Sequence, residues 1–388
     1  MKPTEQFKTK TVLKKRQNVK PDGVWPVALD VGYSSVKGYS PNMVYCFPSF
    51  AKKSENEETL FGNPGVYDIK YRDEKGEVWN VGYLAQDMVD IDYTNDSSKL
   101  LYGRARYHNP MFLVITRVGL ALGMVNNEFG TRSPGDKIVV QAGLPPKYKK
   151  NDTANVVKVT SGHHVFDIKV GNNDWMHFDF VIEPENVLVM AQPMGALWSI
   201  ACDNDGKFVK DAVKYFNSKV LILDPGFGTV DWFTIMNRNT QGYETFDDLG
   251  MKRILEKTVN YINNMYGEEI SIVKMQSVLK TGTFNYVDTD TMSQEVVDIT
   301  DILNRYNEEV CQEALDRGKQ LYNFFKEFNY LVVSGGTGAA WMEHIQDHLK
   351  NMTALTVLPA IVNDTLPNMF ANVRGYYMYL VASIRSRK

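Results

Sequence analysis

Short apolar or alternating runs, each stopped by Gly, Pro, Asn or Asp, fill the chain after the turn signal Pro21-Asp22-Gly23. VWPVALD, VKGYS, NMVYCFPSF and EVWNVGYLA make the run to about Asp92 read as β-rich. PMFLVITRVGLALGMVN, from Pro110, is apolar nearly throughout and long enough for a buried helix. KIVVQAGLPP is a buried strand ending in a Gly/Pro turn, and VVKVTSGHHVFDIKV and MHFDFVIEP predict further strands. VLVMAQPMGALWSIACD passes from strand to helix, and KVLILD returns to a strand. The second half is more helical. MKRILEKTVNYINNMYG has apolar positions at helical spacing and stops at Gly267, and another helix spans roughly Asp298 to Phe328.

Composition narrows this picture by exclusion. Hydrophobic residues make up 44 % and charged residues 23 % of 388, enough for a sizeable core in two or three domains or one bilobal unit. A formal net charge of −3 argues against a chain that wraps nucleic acid with its whole surface. Cys46, Cys202 and Cys311 are far apart and form no CxxC, which fits a reducing, cytoplasmic setting and neither a zinc site nor a disulfide framework. FLVITRVGLALGMV is interrupted by Arg117 and too short to span a membrane. Residues 1–24 read as a basic, flexible arm: their first 20 carry Lys2, Lys8, Lys10, Lys14, Lys15, Arg16 and Lys20 against Glu5, without an apolar h-region.

The candidate chemistry begins with an echo. DVGYSSVKGY starts at Asp30 after VAL, and DPGFGTVDWF starts at Asp224 after LIL, about half the chain later. Each is an apolar strand ending in Asp-x-Gly, a small-residue turn, then a second strand. Plain hairpins account for the glycines, which accept positive φ. They do not account for a carboxylate beside a buried strand, which needs a partner. The other reading is that bare backbone lets amides approach phosphate while the acid holds a magnesium ion through water. A third glycine stretch, Ser334-Gly335-Gly336-Thr337-Gly338, follows the buried run YLVV. None of the three is a Rossmann or Walker fingerprint.

Together, in this order, the three stretches resemble the actin-like ATPase superfamily, which includes actin, DnaK-type chaperones and sugar kinases. Within it, QAGLPPKY, VLVMAQPMGALW and ANVRGYYMYL add a likeness to the ParM/StbA plasmid-segregation actins. The resemblance implies an α/β, actin-like bilobal fold, with two related lobes around a central nucleotide cleft. Lobe I would comprise 25–191 plus 369–388 and lobe II 192–368. It implies ATP as substrate, or GTP, with Mg2+ held through water by Asp30 and Asp224. Gly32, Tyr33, Ser34, Ser35 and Lys37, with Gly226, Phe227, Gly228 and Thr229, would surround the phosphates. Gly335, Gly336, Thr337 and Gly338 would line the adenosine side. Gln192 falls where actin has a water-positioning glutamine. A neutral amide is no strong base, so its role is to orient the attacking water or simply to hydrogen-bond at a helix N-terminus. The implied partners are other copies of the chain in a filament and a ParR-type DNA-binding adaptor, making DNA contact indirect. A sugar-type kinase of the same superfamily is the alternative; it would need a catalytic aspartate over a substrate hydroxyl. His344 and His348 stand i, i+4 on a helix but lack a third metal ligand, and His163-His164 reads as a loop.

Overall fold

The computed structural model describes residues 3–54, 64–87 and 103–386. Its first half contains strands β1 (Val12–Lys15), β2 (Val24–Val31), β3 (Ser35–Tyr39), β4 (Met43–Pro48), β5 (Ala51–Lys53), β6 (Ile69–Asp73), β7 (Val78–Val81), β8 (Lys137–Leu144), β9 (Gly162–Val170), β10 (Met176–Ile182) and β11 (Val187–Ala191). Six of them form a sheet in the order β1-β4-β3-β2-β8-β11, and the rest form a second sheet, β10-β9-β6-β7-β5. Helices α1 (Tyr83–Asp87), α2 (Pro110–Leu122) and α3 (Pro146–Thr160) accompany them. Asn109 caps α2 by accepting from the Met111 amide, with Pro110 at the first helical position. The buried face of α2 then packs on β2 and β3, where Leu29 and Val36 press against the bare Gly119.

The second half begins with α4 (Gln192–Ala201) and α5 (Ala212–Asn217), followed by β12 (Lys219–Pro225), β13 (Val230–Met236) and β14 (Asn239–Phe246). Next come α6 (Met251–Tyr266), α7 (Ile272–Thr281), the hairpin β15 (Thr283–Asp288)–β16 (Ser293–Asp298) and α8 (Thr300–Leu321). The chain closes with β17 (Tyr330–Val333), α9 (Gly335–Leu349), β18 (Thr356–Pro359) and α10 (Ala371–Ser386). The main sheet runs β14-β13-β12-β17-β18.

The two large sheets share one plan. In each, an antiparallel three-strand meander (β2, β3, β4; β12, β13, β14) continues through two parallel strands (β8, β11; β17, β18). The echoing motifs are therefore the first hairpins of two related lobes. A parallel partner requires a crossover, which is why each first strand is buried and ends where the chain must turn.

One apolar core serves each lobe, and a third joins them. That third core combines Ala28, Val44 and Cys46 of the first sheet, Val220, Ile222 and Val332 of the second, and Ala196, Ile200, Val373 and Tyr377 of α4 and α10. The two helices cross glycine to glycine: a Cβ on Gly375 would stand 1.7 Å from the Gly195 carbonyl oxygen. Arg374, fully buried, donates to the carbonyls of Ser199 (2.7 Å) and Cys202 (3.1 Å) at the end of α4 and to Asn204 Oδ1 (2.9 Å). Those are orphan acceptors of a helix C-terminus, satisfied here by a cation.

Four sequence expectations need correcting. Residues 156–160, read as a strand, are the last turns of α3, where Val156 and Thr160 bury at helical spacing behind Pro145-Pro146. His163-His164, read as a loop, both lie in strand β9. The end of EVWNVGYLA is the short helix α1, while 88–92 lie outside the described residues. The larger correction concerns the N-terminal arm. Its described part is packed: Phe7 is 3 % exposed in the second lobe's core, β1 pairs with β4, and Asn18 donates to the Ser40 carbonyl at 2.7 Å. The counter-charges are distant in sequence. Arg16 pairs with Asp364 at 3.0 Å and Lys20 with Asp136 at 3.0 Å. A local charge count along residues 1–24 is blind to them.

Candidate functional site

Asp30 closes β2, and the ladder sets Lys37 of β3 directly beside it. The pair lies 3.5 Å apart with both side chains largely buried. Burial lowers the Lys37 pKa, but the carboxylates of Asp30 and Asp224 more than offset it, so the ammonium stays charged. The turn between is fixed by two hydrogen bonds: Gly32 N–H donates to the Ser35 carbonyl (3.1 Å), and Ser49 Oγ donates to the Gly32 carbonyl (2.9 Å).

The second hairpin repeats this with a different charge. Asp224 on β12 stands opposite Asp231 on β13, and Gly226 N–H donates to the Thr229 carbonyl at 2.8 Å. Asp224 is 5 % exposed; Ser334 Oγ donates to one oxygen and Asn372 Nδ2 to the other at 2.7 Å. Burial raises its pKa, the two donors oppose that, and the Asp30 charge adds to the rise. Asp231 is pushed up to about 8, chiefly by burial, against hydrogen bonds from Thr245 and Thr229. The folded protein therefore holds a proton that the unfolded chain releases near pH 4, so stability falls as pH rises from about 4 to about 8. Asp231→Asn, which mimics the protonated acid, should gain on wild type as pH rises from 5 to 8, by at most about 1.4 kcal/mol per pH unit. Denaturant midpoints at several pH values test this; parallel pH curves for the two proteins would refute it.

The glycine stretch after β17 opens α9, with Ser334 at the N-cap position. Gly335 has φ +78°, and a Cβ there would sit 3.0 Å from the Pro225 carbonyl oxygen, so this turn needs glycine. Thr337 Oγ1 donates to the Gly226 carbonyl at 3.0 Å, tying this turn to the second hairpin.

All three turns face one cavity between the lobes. Asp30, Gly32, Tyr33, Ser34, Ser35 and Lys37 line it from one side. Asp224, Gly226, Phe227, Gly228 and Thr229 line it from the other, and Gly335, Gly336 and Thr337 close the base. The hairpin tips meet there, since a Cβ on Gly228 would lie 2.9 Å from the Tyr33 ring. Gln192, first residue of α4, also lines the cavity and donates from Nε2 to Asp30 Oδ1 at 3.1 Å. Gly338 is the exception. It points into packing, where a Cβ would meet Val333 at 2.9 Å, and does not line the cavity.

Several lining residues were missed from the sequence. Arg106 stacks 4.5 Å from the Tyr33 ring centroid and donates to the Val31 carbonyl at 2.7 Å. Asn372 was within reach, because it lies in ANVRGYYMYL, one of the stretches that carry the ParM/StbA likeness. Arg106 gave no signal, since a single arginine outside any motif carries none. Lys8, Thr9 and Lys10 of the N-terminal segment also line the cavity.

A family model, Actin like proteins N terminal domain, matches residues 28–195, from the first hairpin to just past Gln192. An actin-like N-terminal domain thus lies within the chain. Solved structures extend the actin-like fold over nearly all of it. A 15-stranded ParM filament from Clostridium botulinum superposes with TM-score 0.67 at 18 % identity, over 92 % of this chain and 98 % of that one. A non-polymerisable quadruple mutant of pCBH ParM gives 0.67 at 17 %, over 92 % and 98 %. Ta0583, an archaeal actin homologue, gives 0.63 at 13 %, over 94 % and 100 %. No curated protein matches this actin-like chain in sequence. Among the described residues, no helix is long and apolar enough to cross a membrane, and no cluster of His, Cys, Asp and Glu has a metal-binding arrangement of its own.

Proposed function

We propose that this actin-like protein binds ATP between its lobes, polymerises, and hydrolyses the nucleotide to make the filament dynamic. The observation that carries the reading is the convergence of two like Asp-x-Gly hairpins and the Gly335 turn on one cavity, with Gln192 held against Asp30. The bare glycine backbone of the hairpin turns lets phosphate oxygens approach closely, and Lys37 adds charge.

Magnesium fits the donors present. Asp30 and Asp224 are hard oxygen ligands, and two buried polar atoms nearby, Asn372 Oδ1 and Tyr376 Oη, have no hydrogen-bond partner among the described residues. A hydrated ion prefers one or two carboxylates plus substrate phosphates to a full protein cage. Asp30 and Asp224 would hold it through water, and it would supply charge neutralisation on the phosphates. Gln192 positions the water that attacks the γ-phosphorus as the bond to the β–γ bridging oxygen breaks. Its amide takes up no proton, which passes to solvent or phosphate.

The filament and the cargo rest on the ParM likeness. The chain would assemble with its own copies, and a ParR-type adaptor would couple the filament to plasmid DNA. The test is light scattering of the purified protein after adding ATP and magnesium, with phosphate release followed in parallel and GTP alongside. A rise that decays as phosphate appears is expected. Phosphate transfer that requires a sugar and produces no scattering would instead identify a kinase, and a stronger response to GTP would reassign the nucleotide.

A further inference from the structure

The segment expected to be a free arm reaches the mouth of the cavity, and it is fixed on both sides. Thr9 donates from its backbone N–H (3.1 Å) and Oγ1 (2.9 Å) to Gln276 Oε1 on α7, while Tyr83 Oη of α1 donates to the Thr9 carbonyl. Two residues later β1 enters the first sheet. Its register sets Val12 beside Cys46, Cys46 beside Lys37, and Lys37 beside Asp30. Side chains at i and i+2 share a face of an extended strand, so Lys10 falls on the face of Asp30 and Lys37. Continuing the β1 register back two residues from Val12 sets it one rung further out, towards Pro48 and Ser35 of the first hairpin.

Lys10 is half-buried and lines the cavity together with Gly32, Ser34, Ser35 and Lys37. Its charge is felt by the buried Cys46 thiol, which burial pushes up to about 11 and which Lys37 and Lys10 pull down. The Lys37 ammonium is engaged by Asp30. Lys10, by contrast, makes no hydrogen bond or ion pair among the described residues. A partly desolvated ammonium without a counter-ion is unfavourable, and here it faces a turn whose amides are suited to phosphate. We propose that Lys10 is a third cationic or amide element of the polyphosphate site, supplied from outside the two hairpins by the N-terminal segment. This rests on the nucleotide reading above.

The test measures dissociation constants for ATP with magnesium and for adenosine, using wild type, Lys10→Ala and Lys10→Arg, with nucleotide-free thermal midpoints for each. A lost charge-assisted contact should weaken ATP binding about 10- to 100-fold in Lys10→Ala. Adenosine binding should be unchanged, and Lys10→Arg should recover most of the ATP affinity. Without nucleotide, Lys10→Ala should melt no lower than wild type, because it removes an unpaired charge near Lys37. If Lys10→Ala does not fold, Lys10→Gln, which keeps the stem, carries the same comparison. Equal ATP affinity in wild type and Lys10→Ala would overturn the Lys10 assignment alone. A wild type that binds ATP no more tightly than adenosine would overturn the polyphosphate site itself.

Discussion

Asp224→Asn should abolish phosphate release, by about 10²–10³-fold or more, while leaving the protein folded. The reason is the local hydrogen bonding. Ser334 Oγ can still donate to the remaining amide oxygen, and the new amide nitrogen meets Asn372, whose Oδ1 is buried without a partner. A flip of the Asn372 amide supplies the acceptor for that nitrogen, moving its own Nδ2 to the position where Oδ1 now has no partner. Asp224→Ala removes the acceptor for both Ser334 and Asn372 and should cost about 1–3 kcal/mol of stability in addition to activity. Phosphate release and thermal melts on the two variants separate these effects. Wild-type hydrolysis in Asp224→Asn would remove this residue from the catalytic assignment.

The largest structural effect is expected at Gly375. A methyl group there would stand 1.7 Å from the backbone oxygen of Gly195, and backbone inside a helix cannot rotate away as a side chain can. Gly375→Ala should therefore force α4 and α10 apart and open the core shared by the two sheets. A loss above about 4 kcal/mol, visible as a large drop in denaturant midpoint, is the expected result. Gly242→Ala is a suitable control, since its Cβ would meet only Thr234 Oγ1 at an ordinary 3.6 Å. If the Gly375 variant melts like the control, the close crossing is not what joins the lobes.

The first of these depends on a cleft whose two walls were legible in the sequence to different degrees. Asp30 and Asp224 were visible because a carboxylate ending an apolar run before a glycine turn breaks the usual pattern of buried strands. The turn at Gly335 was visible for a similar reason, and its glycine proves to be required by φ +78° and the nearness of Pro225. Gly338 belonged to the same run of letters, but its missing Cβ serves Val333 instead. A motif shows which residues are small and leaves open which neighbour needs them to be.

The amino-acid sequence by itself determined the repeated hairpins, the buried helix after Pro110 and the acids at the strand ends. Each is a local feature, set by hydrophobic period and turn chemistry within a few residues. Tertiary structure alone decided that Arg16 meets Asp364, that Phe7 joins the second lobe's core, and that Lys10 stands over the first hairpin. The first two join positions hundreds of residues apart and the third joins separate elements of the fold, where neither spacing nor net charge carries information. The basic segment packs because the core that takes Phe7 and the counter-charges of Arg16 and Lys20 are supplied by distant parts of the chain.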